Sequence, residues 1–288
     1  VGFCSAARSS ARSSTSSGRP RATLETHSGL SSSSSRSLYR MTRFSAWLTA
    51  GSPVLAEHVS VLGFEAVVLD AQHGTFGADA LLNCIRAVGS RAETVVRVSE
   101  LNAGGGEIAK ALDGGAKGLI CPMVTSASDC RLFVDLARYP PHGRRSFGPH
   151  RAKLDPAKLG LDVNSFVTAS NKEIKLHAMI ETRSALDALD EILDVDGLDG
   201  VFIGPFDLAL ALGYTPTGAP SGEMLEIIEG VVARAHKHKK QAGIFTADGA
   251  VAKQMAEIGF DWVNVGMDTA WMMDAAKAQL AFARGVLK

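Results

Sequence analysis

The sequence has no uninterrupted apolar run of about twenty residues, the length a helix needs to cross a bilayer, so a helical membrane protein is not expected. It also lacks net charge: 30 Lys and Arg balance 30 Asp and Glu, and no global field draws the chain to nucleic acid or to an anionic membrane. Cysteine is scarce. Cys4, Cys84, Cys121 and Cys130 show no paired zinc-type spacing, and two of them sit in apolar contexts, so a reducing compartment fits best. No strand-like segment is followed by the spaced glycines of a dinucleotide site, and Gly104-Gly105-Gly106 reads as a flexible loop rather than a phosphate cradle.

Residues 1–40 lack something different. They hold one acid, Glu25, and almost no large apolar residues, with six arginines and serine tracts such as Ser31 to Ser35. Such a segment buries too little surface to offset its ordering entropy, and a disordered extension is predicted. Its Arg- and Ser-rich composition reads either as a transit presequence or as an upstream extension that is no part of the mature protein; the first methionine is Met41. A cytoplasmic location is expected, or a mitochondrial one if the segment is a transit peptide.

Residues 41–288 carry the fold. Short β-rich apolar runs alternate with segments of helical period, the pattern of repeated β-α units around a parallel sheet. Strands are predicted near Ser45–Thr49, Ala66–Asp70, Thr94–Val98, Gly118–Met123, Leu176–Glu181, Gly200–Ile203, Ala242–Phe245 and Trp262–Val265. Amphipathic stretches such as Ala78–Val88, Glu107–Asp113, Ser128–Ala137, Ser184–Leu193, Glu223–His236 and Ala250–Ile258 lie between them. Eight such units in one domain predict an α/β protein, a single (β/α)8 barrel.

Barrel enzymes build their sites at the C-terminal ends of the strands, so the residues that close each strand are the informative ones. The second strand runs into Asp70 and His73, the third contains Arg97, the fifth ends at Glu181, and the sixth leads into Gly204-Pro205-Phe206-Asp207. Two carboxylates, Glu181 and Asp207, with no third protein ligand evident suit Mg²⁺ or Mn²⁺, which keep open positions for water and substrate oxygens. Co²⁺ is a further candidate.

A metal of that kind chelates a 2-oxo acid and makes the neighbouring carbon acidic. Arg97 then supplies positive charge to the enolate oxygen, His73 is placed as the general acid–base group, and Asp70 as the carboxylate that orients its imidazole. Spacing alone leaves a structural alternative open, with Glu181 capping the helix near Thr182, Asp207 paired to an arginine, and Arg97 a buried structural arginine.

The segments "FSAWLTAGSP", "VVLDAQHG", "VVRVSELN", "ALDGGAKGLICPMV", "ARYPPHGRRSFG", "MIETRSALDALDEILDVDGLDGVFIGPFDLALALGY" and "AGIFTADG" with "VNVGMDT" resemble, in this order, the HpcH/HpaI family of metal-dependent pyruvate aldolases. The resemblance implies metal ligation by Glu181 and Asp207, an enolate-stabilising Arg97 and a catalytic His73. It further implies carboxylate binding by the backbone from Gly204 to Asp207, and a dyad of Asp113 with His73 across a subunit boundary in a hexamer. The implied reaction cleaves a 4-hydroxy-2-oxo acid to pyruvate and an aldehyde. The chain departs from the family at Met179, often Gln, at Phe206, often Ala, and at Phe245, where smaller aliphatics occur; the two phenyl rings are expected to limit the room for the aldehyde.

Two other functions compete with this one. A CoA-ester lyase of the malyl- or citramalyl-CoA type uses similar chemistry but tends to need a further C-terminal segment and a basic nucleotide pocket. A catalytically silent barrel used as a binding module has no physical need for His73, Arg97, Glu181 and Asp207 together. The basic run His236 to Lys240 is expected to face solvent at a helix C-terminus, and Arg144 and Arg145 to lie in a loop over the rim.

Overall fold

The computed structural model describes residues 42–99, 101 and 106–286. The expectations for residues 1–40, for Cys4 and for Gly104 and Gly105 lie outside the described residues. Eight parallel strands close into a barrel in sequence order: β1 (Arg43–Leu48), β2 (Ala66–Asp70), β3 (Glu93–Arg97), β4 (Gly118–Cys121), β5 (Lys175–Ile180), β6 (Gly200–Ile203), β7 (Gln241–Ile244) and β8 (Trp262–Met267). β8 returns to pair with β1.

The helices run α1 (Pro53–Val59), α2 (Ala78–Val88), α3 (Gly106–Asp113), α4 (Ala127–Ala137), α5 (Val163–Glu173), α6 (Arg183–Asp187), α7 (Leu189–Leu193), α8 (Pro205–Leu212), α9 (Glu223–Lys237), α10 (Gly249–Ile258) and α11 (Asp268–Ala283). The helix expected over 184–193 is broken at Ala188, which ends α6 and precedes α7. β4 stops short of its expected end because Met123 turns the chain with φ of 53°.

Side chains alternate across each strand, and the barrel separates the two sets. Leu69, Val96, Leu119, Leu176 and Ile203 belong to the large outer cluster under the helices, while Trp47, Val68, Val95, Ile120, Met179, Phe202 and Trp262 fill the lumen. Burying each such side chain contributes roughly 1.5–3 kcal/mol. The lumen is solid because large residues meet glycines: a Cβ on Gly243 would fall 2.5 Å from the Phe202 ring.

Polar groups close the lower end. Arg43 reaches Glu93 at 2.5 Å, Lys175 reaches Asp199 at 2.9 Å, and His177 packs edge-on to Trp262. Burial pushes the His177 imidazole down to about 4, so it stays neutral near pH 7. Cys84, Cys121 and Cys130 are buried free thiols, and burial pushes Cys84 up to about 11.

Two features of the outer surface bear on assembly and on the arginine loop. α11 buries only Asp268 among its described residues, leaving Met272, Met273, Leu280 and Phe282 exposed. The loop after α4 leads toward the N-terminal end of β5, so Arg144 and Arg145 do not lie over the rim at the C-terminal strand ends as expected: Arg144 pairs with Asp135, and Arg145 is buried on Asp113. Of the basic run, His236 bonds Asp261 and His238 bonds Asp190 and Asp194, so these histidines are paired rather than simply solvated. Among the described residues no helix is long and apolar enough to cross a membrane.

Candidate active site

The register of β2 against β3 sets Asp70 beside Arg97, both pointing into the barrel mouth. Arg97 Nε donates to Asp70 Oδ1 at 2.8 Å and Nη2 to Oδ2 at 2.6 Å, a two-pronged charge-assisted pair. Trp47 Nε1 donates to the same Oδ2 at 3.1 Å, and the Arg97 guanidinium lies 4.9 Å from the Trp47 ring. The backbone N–H groups of Gln72 and His73 fill Oδ1 at 3.1 and 3.2 Å. Burial alone would raise the Asp70 carboxyl, yet the Arg97 bonds and charge, helped by Trp47 and the His73 N–H, hold it below its ordinary value.

Asp70 therefore does not orient the His73 imidazole, as expected from the sequence; its oxygens are committed to Arg97, Trp47 and the turn. It fixes His73 through the backbone instead. The His73 ring is exposed on the rim and has no hydrogen-bond partner among the described residues.

The Arg97 edge that Asp70 leaves open points along the mouth. Its Nη1 meets only the Met179 thioether, at 3.9 Å, and its charge acts on Glu181. Glu181 follows β5, is almost fully buried, and its Oε1 accepts the Met123 N–H at 2.6 Å. The left-handed turn at Met123 is what aims that N–H. Gly204 leaves the other oxygen its space, since a Cβ there would fall 2.5 Å from Glu181 Oε2.

Glu181 is not a helix cap: Thr182 caps α6, accepting the Ala185 N–H at 3.1 Å. Asp207, exposed in the first turn of α8, has no arginine partner among the described residues. Burial raises the Glu181 carboxyl, and the charge of Asp207 adds to the rise against the Met123 bond and Arg97. Two carboxylates that repel across a gap, one of them desolvated, form a donor set that fits a hard divalent ion. Among the described residues no group of three His, Cys, Asp or Glu could complete an all-protein cage, so water or substrate oxygens would supply the remaining positions.

α8 starts at Pro205, whose missing N–H costs nothing at a first helical position. The N–H groups of Phe206 and Asp207 then open the helix without intrahelical acceptors, which favours an anionic group there. The Phe206 and Phe245 rings meet edge-on with centroids 6.3 Å apart, and Phe245 leans on Trp47 at 5.3 Å. Asp113 is elsewhere. It ends α3, before β4 begins, and is bound at 2.6 Å by Arg145 at the opposite end of the barrel from His73.

Trp47, Met123 and Asp268 belong to the mouth but were not singled out in the sequence. Asp268, buried at the start of α11, accepts the N–H groups of Thr49 and Ala50 and so fixes the loop after β1. Trp47 carried a readable signal, an inward position on the first strand. Met123 carried none, because a left-handed turn at a non-glycine residue has no sequence mark.

Known proteins are similar to this chain over most of its length. The chain is 38% identical over 244 residues to the hydroxypyruvate/pyruvate aldolase of Rhizorhabdus wittichii, covering 83% of this chain and 93% of that one. It is 33% identical over 247 residues to the 2-keto-3-deoxy-L-rhamnonate aldolase of Salmonella typhi, covering 86% and 91%. A crystal structure of an HpcH/HpaI aldolase/citrate lyase family protein from Burkholderia cenocepacia superposes with a TM-score of 0.76 at 25% identity, over 86% of this chain and 99% of that one. With the family model for HpcH/HpaI aldolase/citrate lyase matching residues 43–275, the chain belongs to that family.

Proposed function

We propose that the chain is a divalent-metal-dependent aldolase that reversibly cleaves a 4-hydroxy-2-oxo acid to pyruvate and an aldehyde. The observation that carries this reading is Arg97, whose Nε and Nη2 are held by Asp70 while Nη1 is left beside Met179 and Glu181. A cation fixed in advance next to two carboxylates suits an oxyanion that develops at the C2 oxygen of a 2-oxo acid. Two relatives named as aldolases support the same class of reaction.

Glu181 and Asp207 would hold Mg²⁺ or Mn²⁺, with Co²⁺ a further candidate, and such an ion when bound supplies a Lewis acid for the keto group. The chain's own residues do the rest. The N–H groups opening α8 at Phe206 and Asp207 receive the substrate carboxylate. Arg97 balances negative charge at the C2 oxygen. His73 takes the proton of the C4 hydroxyl on cleavage and returns it on condensation.

Because Asp113 lies at the far end of the protomer, its pairing with His73 would come from a neighbouring copy. The exposed apolar side chains of α11 support a homo-oligomer, and a hexamer is the assembly proposed. Buried thiols fit a reducing compartment, cytoplasmic or mitochondrial.

The test is pyruvate release from a panel of 4-hydroxy-2-oxo acids, with and without divalent metal. Release that needs the metal supports the assignment; no release from any member removes it.

A further inference from the structure

A second polar cavity lies at the other end of the barrel from the mouth. About 260 Å³ in volume, it is bounded by the segments that enter β3, β4 and β5 and by the loop after α4. Four cationic side chains line it, Lys117, Arg145, Arg151 and Lys158, against one acid, Asp155.

The pairing of these charges is uneven. Lys117 is bound by Asp155, Arg145 by Asp113 at 2.6 Å, and Lys158 by Glu173 at 2.9 Å. Among the described residues Arg151 has no carboxylate of its own: its Nη1 donates to the Gly114 carbonyl at 2.9 Å. Burial pushes the Arg151 guanidinium down, the like charge of Arg86 pushes it further, and Asp155, already holding Lys117, offsets part of this. Arg86 in turn donates to a neutral amide, Asn83 Oδ1, at 2.8 Å. Among the described residues two adjacent guanidiniums thus stand without dedicated counter-charges. Arg145, charge-paired with Asp113, is almost fully buried, stacks 4.3 Å over the Tyr139 ring, and among the described residues leaves its Nε without a hydrogen-bond acceptor.

Folding brings these like charges together at an electrostatic cost that a bound anion would remove. We propose that this cavity is a binding site for a compact phosphate dianion, inorganic phosphate or the head of a small phosphate monoester, centred on Arg151 with Lys117 and Lys158 around it. A planar guanidinium fork matches phosphate oxygens two at a time. The volume is below the usual range for drug-sized ligands, about 300–1,000 Å³, and accommodates a phosphate group.

The experiment is titration calorimetry of the full chain with inorganic phosphate at constant ionic strength, with glycerol phosphate and succinate as further arms. It is run in parallel on Glu181→Gln, in which the mouth has lost a metal ligand. Saturable binding is expected in both proteins, weakened about tenfold or more by Arg151→Gln and by Lys117→Met, since losing one charge-assisted hydrogen bond of roughly 1.5–3 kcal/mol is at least a factor of ten. Circular dichroism establishes that each variant is folded. Tighter binding of glycerol phosphate than of inorganic phosphate identifies a monoester as the occupant; the reverse identifies the free ion. Four outcomes overturn the site: no saturation, equal binding by succinate, loss of binding in Glu181→Gln, or wild-type affinity in both Arg151→Gln and Lys117→Met.

Discussion

Asp70 takes both Nε and Nη2 of Arg97, at 2.8 and 2.6 Å, and the parallel register of β2 and β3 makes the two residues neighbours. The carboxylate is therefore a positioning residue. It holds the guanidinium in one plane and leaves the Nη1 edge beside Met179, where the proposed reaction would place the C2 oxygen.

Replacing this clamp exposes its electrostatics. Asp70→Asn removes the hydrogen-bonded counter-ion of the buried Arg97 and is expected to destabilise the protein by about 3–5 kcal/mol at neutral pH, as removal of one partner of a buried pair does. Because the folded-state value of Asp70 lies below its ordinary one near 3.9, its contribution is present above about pH 4 and lost as the pH falls through the folded value. Urea unfolding from pH 7 to pH 3 should thus show the gap between wild type and variant closing on acidification. A gap that stays constant would mean that Asp70 does not act through its charge.

Arg97 and His73 should separate by assay. Arg97→Ala is expected to lose both aldol cleavage and exchange of the pyruvate methyl protons, since both pass through the enolate. His73→Ala should lose mainly the proton transfer at the C4 hydroxyl and retain exchange, a contribution of about 10²–10⁴-fold in cleavage rate. Mixed oligomers of His73→Ala and Asp113→Ala should regain activity if the dyad joins neighbouring copies. Unchanged exchange in Arg97→Ala would remove its assigned role.

The carboxylate pair at the mouth predicts opposite effects of one substitution. Glu181 is raised by burial and by Asp207, so its favourable contribution belongs to the protonated form and is lost as the pH rises through the raised value. Ionised Glu181 then costs stability at neutral pH in the absence of metal. Glu181→Gln should raise the metal-free Tm, by about 0.5–2 kcal/mol in stability, while abolishing chelator-sensitive activity and the Tm increase given by Mn²⁺. Differential scanning calorimetry with and without Mn²⁺ reads both, and a lowered metal-free Tm would contradict the charge argument. Full activity in excess chelator would point instead to an imine-forming lysine.

The barrel was legible because its strands announce themselves twice, by β-rich apolar runs and by the polar residues that end them. Asp70, Arg97, Glu181 and Asp207 were placed on one rim by that rule alone. What each one touches was not legible, since the Asp70–Arg97 pairing depends on register between neighbouring strands, and His73 lies close enough in sequence to seem the better partner. The end of the barrel that Asp113 occupies follows from connectivity, since a helix that precedes a parallel strand ends at that strand's N-terminal side; its partner Arg145 was not legible, because that contact is made by the loop after α4.

The aromatic rim predicts a limit on aldehyde size. Phe206 is partly exposed and touches Phe245, which is braced by Trp47, so the pair narrows the mouth near the opening of α8. Short aldehydes are expected to be preferred. Phe206→Ala should raise kcat/KM for a six-carbon aldehyde relative to a two-carbon one by about 10-fold or more, the scale of differences of 1–3 kcal/mol in a hydrophobic pocket, with methyl-proton exchange intact. Phe245→Leu should give a smaller change and lower Tm, because it also removes the brace on Trp47. An unchanged ratio in both variants would place the specificity determinant in another loop.

Trp47 gives the mouth an optical reporter. Its indole donates to Asp70 and lies under the Arg97 guanidinium, whereas Trp262 is sealed against Phe202 and Trp271 stacks on Phe64. The emission of an indole follows the field across its ring, so a ligand that draws on Arg97 shifts the colour and intensity of one tryptophan among three. On the proposed mechanism, binding of a 2-oxo acid at Arg97 is therefore expected to change the native fluorescence without a label, and Arg97→Ala to abolish that change.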